Sequence, residues 1–385
     1  MNDPLKKYRC QFGLWNNNRK LERERQTYAA KFRRLGLNIP GNDDLCSELK
    51  KSFPQMRPKP AGGLRIIAVY HHYNWENYSL KPALEKFGTV RYYDWFDEFN
   101  HQDKDWRKTG KARMNRALLE KFSRWIAEDR ADVIFMYVSG ELVEPDTLSA
   151  LREFGIPMIN LALNDKEHFV GKIRSGRAFG SRDICRYFDL CWTSTEDALI
   201  KYLVEGTRPI YLPEGANPEI HKPYDLEKTI DVSFVGQCYG NRAAVINELL
   251  RRGIAVEAYG HGWPRGALPV EDMVKLYSRS KINLGFGGVE GHPDTFCLKG
   301  RDFEIPMSGG LYLTEDHPEL SNAFRIGEEI LTYSGMEDLN GKILYYLQHP
   351  LEMDAIRKKG RDRALREHTW KARFVKIFQL IGILK

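Results

Sequence analysis

The chain has 385 residues, a formal net charge of +7 at neutral pH, and 42% hydrophobic and 12% aromatic content. That length exceeds one hydrophobic core and sets an expectation of two domains. The composition excludes a disordered chain, and the absence of any run of about 18 apolar residues argues against a membrane-spanning helix.

The opening Met1-Asn2-Asp3-Pro4-Leu5-Lys6-Lys7 lacks the apolar centre of a signal peptide. Cys10, Cys46, Cys185, Cys191, Cys238 and Cys297 show no Cys-x-x-Cys spacing. Neither a zinc site nor a disulfide frame is indicated, and a cytoplasmic location is expected. The charge is uneven: residues 1–60 hold 14 Lys/Arg against 6 Asp/Glu, which leaves the rest near neutral. Within this basic extension (residues 1–63, linker included), Arg19 to Leu35 reads as a helix. Leu21, Tyr28, Phe32 and Leu35 fall on one face, Arg23, Arg25, Lys31, Arg33 and Arg34 cover much of the rest, and Gly36 and Pro40 end it. Such a helix either packs on the body with its basic face in water or docks an anionic surface: a membrane leaflet, a phosphorylated acceptor or nucleic acid.

From Leu64 the pattern alternates between strands and helices. Strands are predicted near 64–70, 90–94, 132–138, 157–163, 190–193 and 209–212, with helices near 79–87, 112–127, 147–154 and 195–204. Residues 213–230, from Pro213-Glu214-Gly215 through Pro223, read as a hinge. A second α/β unit spans 231–369, with strands near 231–236, 255–259, 281–285, 310–314 and 329–332 and helices near 242–252, 270–278, 340–347 and 351–368. Residues 370–385 carry Phe374, Ile377, Phe378, Ile381 and Leu384 on one helical stripe. The fold class expected is α/β, with two doubly wound parallel sheets.

Ligands in such sheets lie beyond the carboxyl ends of the strands. Three glycine-rich loops follow predicted strands of the second unit: Gly236-Gln237-Cys238-Tyr239-Gly240-Asn241-Arg242, Tyr259-Gly260-His261-Gly262-Trp263 and Gly285-Phe286-Gly287-Gly288-Val289-Glu290-Gly291. Gly236 lets a backbone approach a phosphate, and Arg242 opens the next helix with a fixed positive charge. Tyr259, Gly260 and Trp263 suit a nucleobase. The densest stretch is Leu298-Lys299-Gly300-Arg301-Asp302-Phe303-Glu304-Ile305-Pro306-Met307-Ser308-Gly309-Gly310, a loop, short helix and Gly-Gly turn before a strand. Lys299 and Arg301 offer counter-charge for a diphosphate at a helix start, and Glu304 a carboxylate for sugar hydroxyls.

That last stretch resembles the nucleotide-sugar motif of group-1-like glycosyltransferases of the CgeB type, in which Lys/Asn-x-Arg-x-Phe-Glu precedes Gly-Gly and a strand. The resemblance covers roughly residues 205–365. It implies a GT-B fold, two Rossmann-like domains facing a cleft, with the terminal helix crossing back to the first. It also implies a glycosyltransferase passing a sugar from a nucleoside-diphosphate sugar, UDP-linked by preference, to a hydroxyl acceptor. Glu304 would hold the donor ribose, and Lys299, Arg301 and Arg242 the diphosphate. Position 296 is Phe where large retaining families carry a first glutamate, so the stereochemical outcome stays open.

On the acceptor side, Asp165 follows a strand and is the preferred general base. His72, within Tyr70-His71-His72-Tyr73-Asn74-Trp75, is the second catalytic candidate, with His71 and Glu141 as rivals. No cofactor or metal is expected. Asp103-Lys104-Asp105 is an isolated charged triplet, and His71 and His72 point opposite ways on a strand. The alternatives are a DNA-modifying glycosyltransferase or nucleic-acid-binding protein using the basic extension, and a nucleotide-sugar epimerase on the same scaffold.

Overall fold

Apolar, β-branched runs without polar alternation belong to strands covered on both faces. They form the centres of two parallel sheets in the computed structural model, which describes residues 4–385, with side chains from residue 13 onward except at position 293. Two units emerge: residues 24–213 with 370–385, and residues 1–23 with 214–369.

The first unit holds β1 (Leu64–Val69), β2 (Gly88–Tyr93), β3 (Val133–Met136), β4 (Met158–Ala162), a small hairpin of β5 (Ile173–Arg174) and β6 (Arg177–Ala178), β7 (Leu190–Thr193) and β8 (Pro209–Tyr211). The sheet order is β2-β1-β3-β4-β7-β8, every neighbouring pair parallel. The chain steps from β1 outward to β2, then returns to β3 on the other side of β1. That reversal leaves a crevice beyond the carboxyl ends of β1 and β3. One face is closed by Leu118, Phe122 and Ile126 of the helix Lys111–Glu128. The other is closed by Trp370, Phe374, Ile377 and Phe378 of the helix Trp370–Leu380, packed against Phe135 and Trp192.

The N-terminal region holds more helix than the sequence pattern predicts. A helix runs from Pro4 to Arg34, well beyond the predicted start at Arg19. Its polar segment Asn16-Asn17-Asn18 is a poor helix former, but Asn17 Nδ2 donates to the Gly291 carbonyl (3.3 Å) and Asn18 Nδ2 to Asp294 (2.7 Å), so tertiary bonds offset weak propensity. Tyr28 is buried with its ring edge on Phe169, and Glu24 pairs with Lys201. Leu35, predicted on the packed face, lies just past the helix and is 54% exposed. Lys20, Arg23, Lys31 and Arg34 form an exposed stripe along it. A helix not foreseen, Asn42–Ser52, puts Leu45 and Leu49 into the core of the first unit.

The second unit holds β9 (Ile230–Val235), β10 (Val256–Tyr259), β11 (Ser280–Leu284), an antiparallel hairpin of β12 (Gly288–Val289) and β13 (His292–Phe296), β14 (Tyr312–Glu315) and β15 (Leu331–Tyr333). Its parallel sheet has the order β10-β9-β11-β14-β15, so the reversal falls between β9 and β11. Val232, Phe234, Ile282, Leu284 and Leu313 make its centre. The stretch predicted as a glycine-rich loop after β11 folds largely into the β12–β13 hairpin. Among the described residues, no helix is long and apolar enough to cross a membrane.

Candidate functional site

The reversal in the second unit brings the loop after β9 beside the loop after β11, and the helix Gly300–Met307 feeds side chains to the same place. Phe303, Ile305, Pro306 and Met307 bury that helix. Arg301 and Glu304, three residues apart, share its other face. Its N-terminus is fixed by Asp302, whose buried carboxylate accepts the Lys299 backbone N–H at 2.6 Å and the Tyr312 hydroxyl of β14. Burial raises the Asp302 pKa, against the pull of those two donors.

Arg301 lies directly under the loop after β9. A Cβ added to Gly236 would stand 2.4 Å from Arg301 Nη2, so glycine is required there to admit the guanidinium. Gly236 is closed from behind by Gly260, whose own Cβ would stand 2.3 Å from the Gly236 carbonyl oxygen. Arg301 Nε and Nη1 are covered yet make no hydrogen bond. A guanidinium has five donors and no means of shedding its charge, so covered, unpartnered N–H groups are costly unless an acceptor arrives.

Two further cations crowd the spot. Arg242 is 2% exposed; it donates to the Gln237 carbonyl (2.7 Å) and the Tyr239 hydroxyl (2.7 Å), and lies 3.7 Å from the Tyr239 ring centroid. Burial, then the Arg301 charge, pulls its pKa down to about 10. Lys299 Nζ donates to the Gly288 carbonyl and to the Tyr239 hydroxyl (3.1 Å). Arg242 and Lys299 thus tie the two loops together. Among the described residues, no carboxylate lies within ion-pair distance of any of the three cations. Glu304, 15% exposed in its side chain, has Oε1 3.8 Å from His221 Nε2 and accepts no hydrogen bond among the described residues.

The residues predicted for the donor divide accordingly. Gly236, Arg242, Lys299 and Arg301 converge, with Glu304 on the same helix face as Arg301. Arg301 has covered donors without an acceptor and Glu304 accepts no hydrogen bond among the described residues, whereas Arg242 and Lys299 bond main-chain carbonyls and Tyr239. Trp263 is a support: its indole N–H donates to the Gly236 carbonyl at 2.8 Å and its ring packs on Phe234. Tyr259 stands on the edge strand β10, its hydroxyl bonded to Glu257 (2.8 Å) and Arg265 (3.0 Å), apart from the cations. Tyr239, at the centre of the cluster, was not singled out by sequence. Its place between two glycine-rich loops was the available signal.

Of the two catalytic candidates in the first unit, Asp165 needs correction. Asp165 is 1% exposed, and its two oxygens accept hydrogen bonds from Ser181 (2.7 Å) and Tyr202 (2.7 Å). Burial raises its pKa. A carboxyl so enclosed fixes the fold and presents no oxygen to a substrate. His72 turns to the start of the helix Glu76–Glu85, where Nδ1 accepts the Asn77 N–H (3.3 Å) and the ring meets Tyr78 edge-on. The neighbouring His71 points the other way, with Nδ1 2.9 and 3.1 Å from the two oxygens of Asp94. Asp94, just beyond β2, was missed, although the strand-end rule that selected the other loops applied to it equally. Asp103 and Asp105 are exposed in the turn before Trp106.

Residues 242–379, about a third of the chain, match the family model described as glycosyl transferase-like. No curated protein matches the sequence. Among solved structures, the chain is similar to sucrose-phosphate synthase from Thermosynechococcus elongatus (TM-score 0.57, 11% identity, 82% of this chain and 98% of that one covered). It is also similar to a glycosyltransferase from Rickettsia africae (0.55, 10%, 83% and 98%) and to Anabaena HepE, solved with UDP and glucose (0.53, 8%, 82% and 99%). At such identities these likenesses speak to the fold, and they cover most of the chain. With two Rossmann-like parallel sheets like those of these structures, and a match to the glycosyl transferase-like model confined to residues 242–379, the chain has the GT-B fold.

Proposed function

We propose that the protein transfers a sugar from a nucleoside-diphosphate sugar, with UDP as the favoured nucleotide, to a hydroxyl acceptor. The observation that carries this reading is the Arg301 guanidinium, covered and partly unpartnered at the sheet reversal beside Arg242 and Lys299. Three cations gathered without a carboxylate make a site for an anion, and a diphosphate leaving group is an anion that a fixed guanidinium can stabilise as charge develops. Glu304 suits the donor ribose, since its carboxylate has acceptor capacity to spare. Leaving-group stabilisation is thereby assigned to side chains of this chain. The UDP bound to HepE supports the choice of nucleotide.

Calorimetric titration with UDP and with inorganic diphosphate tests the assignment. Arg301→Ala removes a charge-assisted bond of about 1.5–3 kcal/mol, so both ligands should bind roughly ten- to a hundredfold more weakly. Glu304→Ala should weaken UDP and leave diphosphate unchanged. UDP affinity unaffected in both variants would overturn the reading.

A further inference from the structure

The first unit carries its own gathering of cations, and none of the residues named above for the donor contributes to it. A cavity of about 390 Å³ opens between the loop after β3 and the β5–β6 hairpin, a volume in the range of small-molecule sites. Arg107, Lys111, Arg174 and Arg177 line it, against the carboxylates of Glu144 and Asp183. The backbone fixes its walls. The Gly140 N–H donates to the Gly180 carbonyl (2.9 Å) and the Glu141 N–H to the Phe179 carbonyl (3.0 Å), so the loop lies flat on the hairpin. A Cβ on Gly140 would stand 2.6 Å from the Ala178 carbonyl oxygen, which leaves no room for a side chain. On another wall a π-helical turn, Trp106–Gly110, leads into the helix Lys111–Glu128 and is anchored by the buried Trp106. Such wide turns recur at functional sites, and this one brings both Arg107 and Lys111 to the cavity. Phe179 collects the charges: Arg107 Cζ, Lys111 Nζ and Arg174 Cζ lie 6.0, 5.9 and 5.7 Å from its ring centroid.

The bonding of these cations is uneven. Lys111 Nζ is committed to the Gly140 carbonyl (2.7 Å) and Glu144 (3.1 Å), and Arg177 to Glu144 (2.7 Å). Asp183 is taken by Arg182 Nε (2.5 Å) and the Ala178 N–H (2.7 Å). Arg107 has a loose pair, 3.7 Å to Glu141. Arg174 meets the Phe179 ring and, among the described residues, no carboxylate. Register makes this costly. Arg174 stands directly opposite Arg177 across the hairpin, closed by Ser175 and Gly176 at φ +47° and +78°, and like charges so placed destabilise a strand pair.

We propose that this cavity binds the phosphate monoester group of a soluble small molecule, held by the guanidinium groups of Arg107 and Arg174. Four lining cations against two carboxylates leave two positive charges in excess. Including the partners Arg182 and Glu141 makes five against three and leaves that excess unchanged. A phosphate monoester carries close to two negative charges at neutral pH, and a guanidinium fork matches its oxygens with paired N–H donors. An anion seated there relieves the repulsion between Arg174 and Arg177. The site is independent of the donor reading.

The test is calorimetric titration of the full chain with glucose 6-phosphate, inorganic phosphate and glucose. It is run on the wild type and on Arg301→Ala, so that phosphate held by the donor cations is told apart. Both phosphates should bind in either background, more weakly as salt is raised, and glucose should not bind. Arg174→Ala and Arg107→Ala should each weaken glucose 6-phosphate about tenfold, the scale of one charge-assisted bond. Without ligand, Arg174→Ala should melt no lower than the wild type, because it removes the like-charge pair; an arginine kept for the fold would lower the melting temperature. Glucose 6-phosphate that fails to bind, or that binds both arginine variants within about twofold of the wild type, overturns the site and leaves the donor reading untouched. Binding confined to phosphatidylcholine vesicles containing phosphatidic acid overturns the soluble ligand and gives the cavity to a lipid headgroup.

Discussion

At the scale of single residues, the donor candidate turns on one hydrogen atom at position 236. A methyl group there would meet Arg301 Nη2 at 2.4 Å and Phe234 Cζ at 2.8 Å. Gly236→Ala should therefore push the guanidinium off its seat and weaken UDP binding at least about tenfold, with a stability loss of about 1–3 kcal/mol from overpacking. Gly240→Ala is the control: its backbone has φ +61° but nothing lies within 4 Å of the new carbon, so it strains the turn without touching Arg301. Equal loss of UDP affinity in both variants would show that loop strain, not guanidinium placement, is what matters. The motif Lys299-Gly300-Arg301-Asp302-Phe303-Glu304 made Arg301 and Glu304 visible in the sequence, because helix position alone puts both on one face. Which cation stays unpartnered was not visible, since Lys299 and Arg242 are occupied by main-chain carbonyls that only the β12–β13 hairpin and the folded loops supply. Asp165 misled for a related reason. A strand-end carboxylate looks the same in sequence whether it faces a crevice or the Ser181 and Tyr202 hydroxyls.

At the scale of elements, strand positions followed from apolar runs, and those of β1, β4, β7, β9 and β11 agree with the pattern to within two residues. The helices Asn42–Ser52 and Pro4–Arg34 were harder, because polar residues there are held by partners far away in sequence. The helix Gly300–Met307 depends on a single buried group in the same way. Asp302→Ala would strand the Tyr312 hydroxyl and the Lys299 N–H, and each unsatisfied buried group costs about 1–3 kcal/mol. The variant should lose stability of that order in urea unfolding. It should also weaken UDP binding, because Arg301 rides on the same turn. A fully stable Asp302→Ala with slack donor binding would mean that the cap orients the helix without stabilising it, and a stable variant with normal binding would remove Asp302 from the argument.

At the scale of the whole molecule, each unit carries a histidine kept neutral by burial: His168 in the first and His221 in the second both have pKa values below the usual 6.5. His221 is 3% exposed; its Nδ1 accepts the Asn217 N–H at 3.3 Å, and Glu304 opposes the effect of burial without cancelling it. When the folded pKa lies below the unfolded one, the unfolded chain binds protons first, so stability is present above about pH 6.5 and is lost as pH falls toward the folded pKa. The buried carboxyls Asp165, Asp189 and Asp302 have the opposite sense: their raised folded values favour the native state at low pH, and that contribution fades as pH rises above 3.8. A wild-type profile therefore mixes the two, and the histidine part emerges only by difference. Urea unfolding at pH 7 and at pH 5 should show His221→Gln losing less stability on acidification than the wild type, by no more than about 1.4 kcal/mol per pH unit. Because Glu304 raises the His221 pKa and also faces the proposed ribose position, UDP should enlarge the same difference in the wild type if it draws that carboxylate away. Parallel pH profiles for wild type and His221→Gln would place this histidine outside the acid sensitivity of the fold.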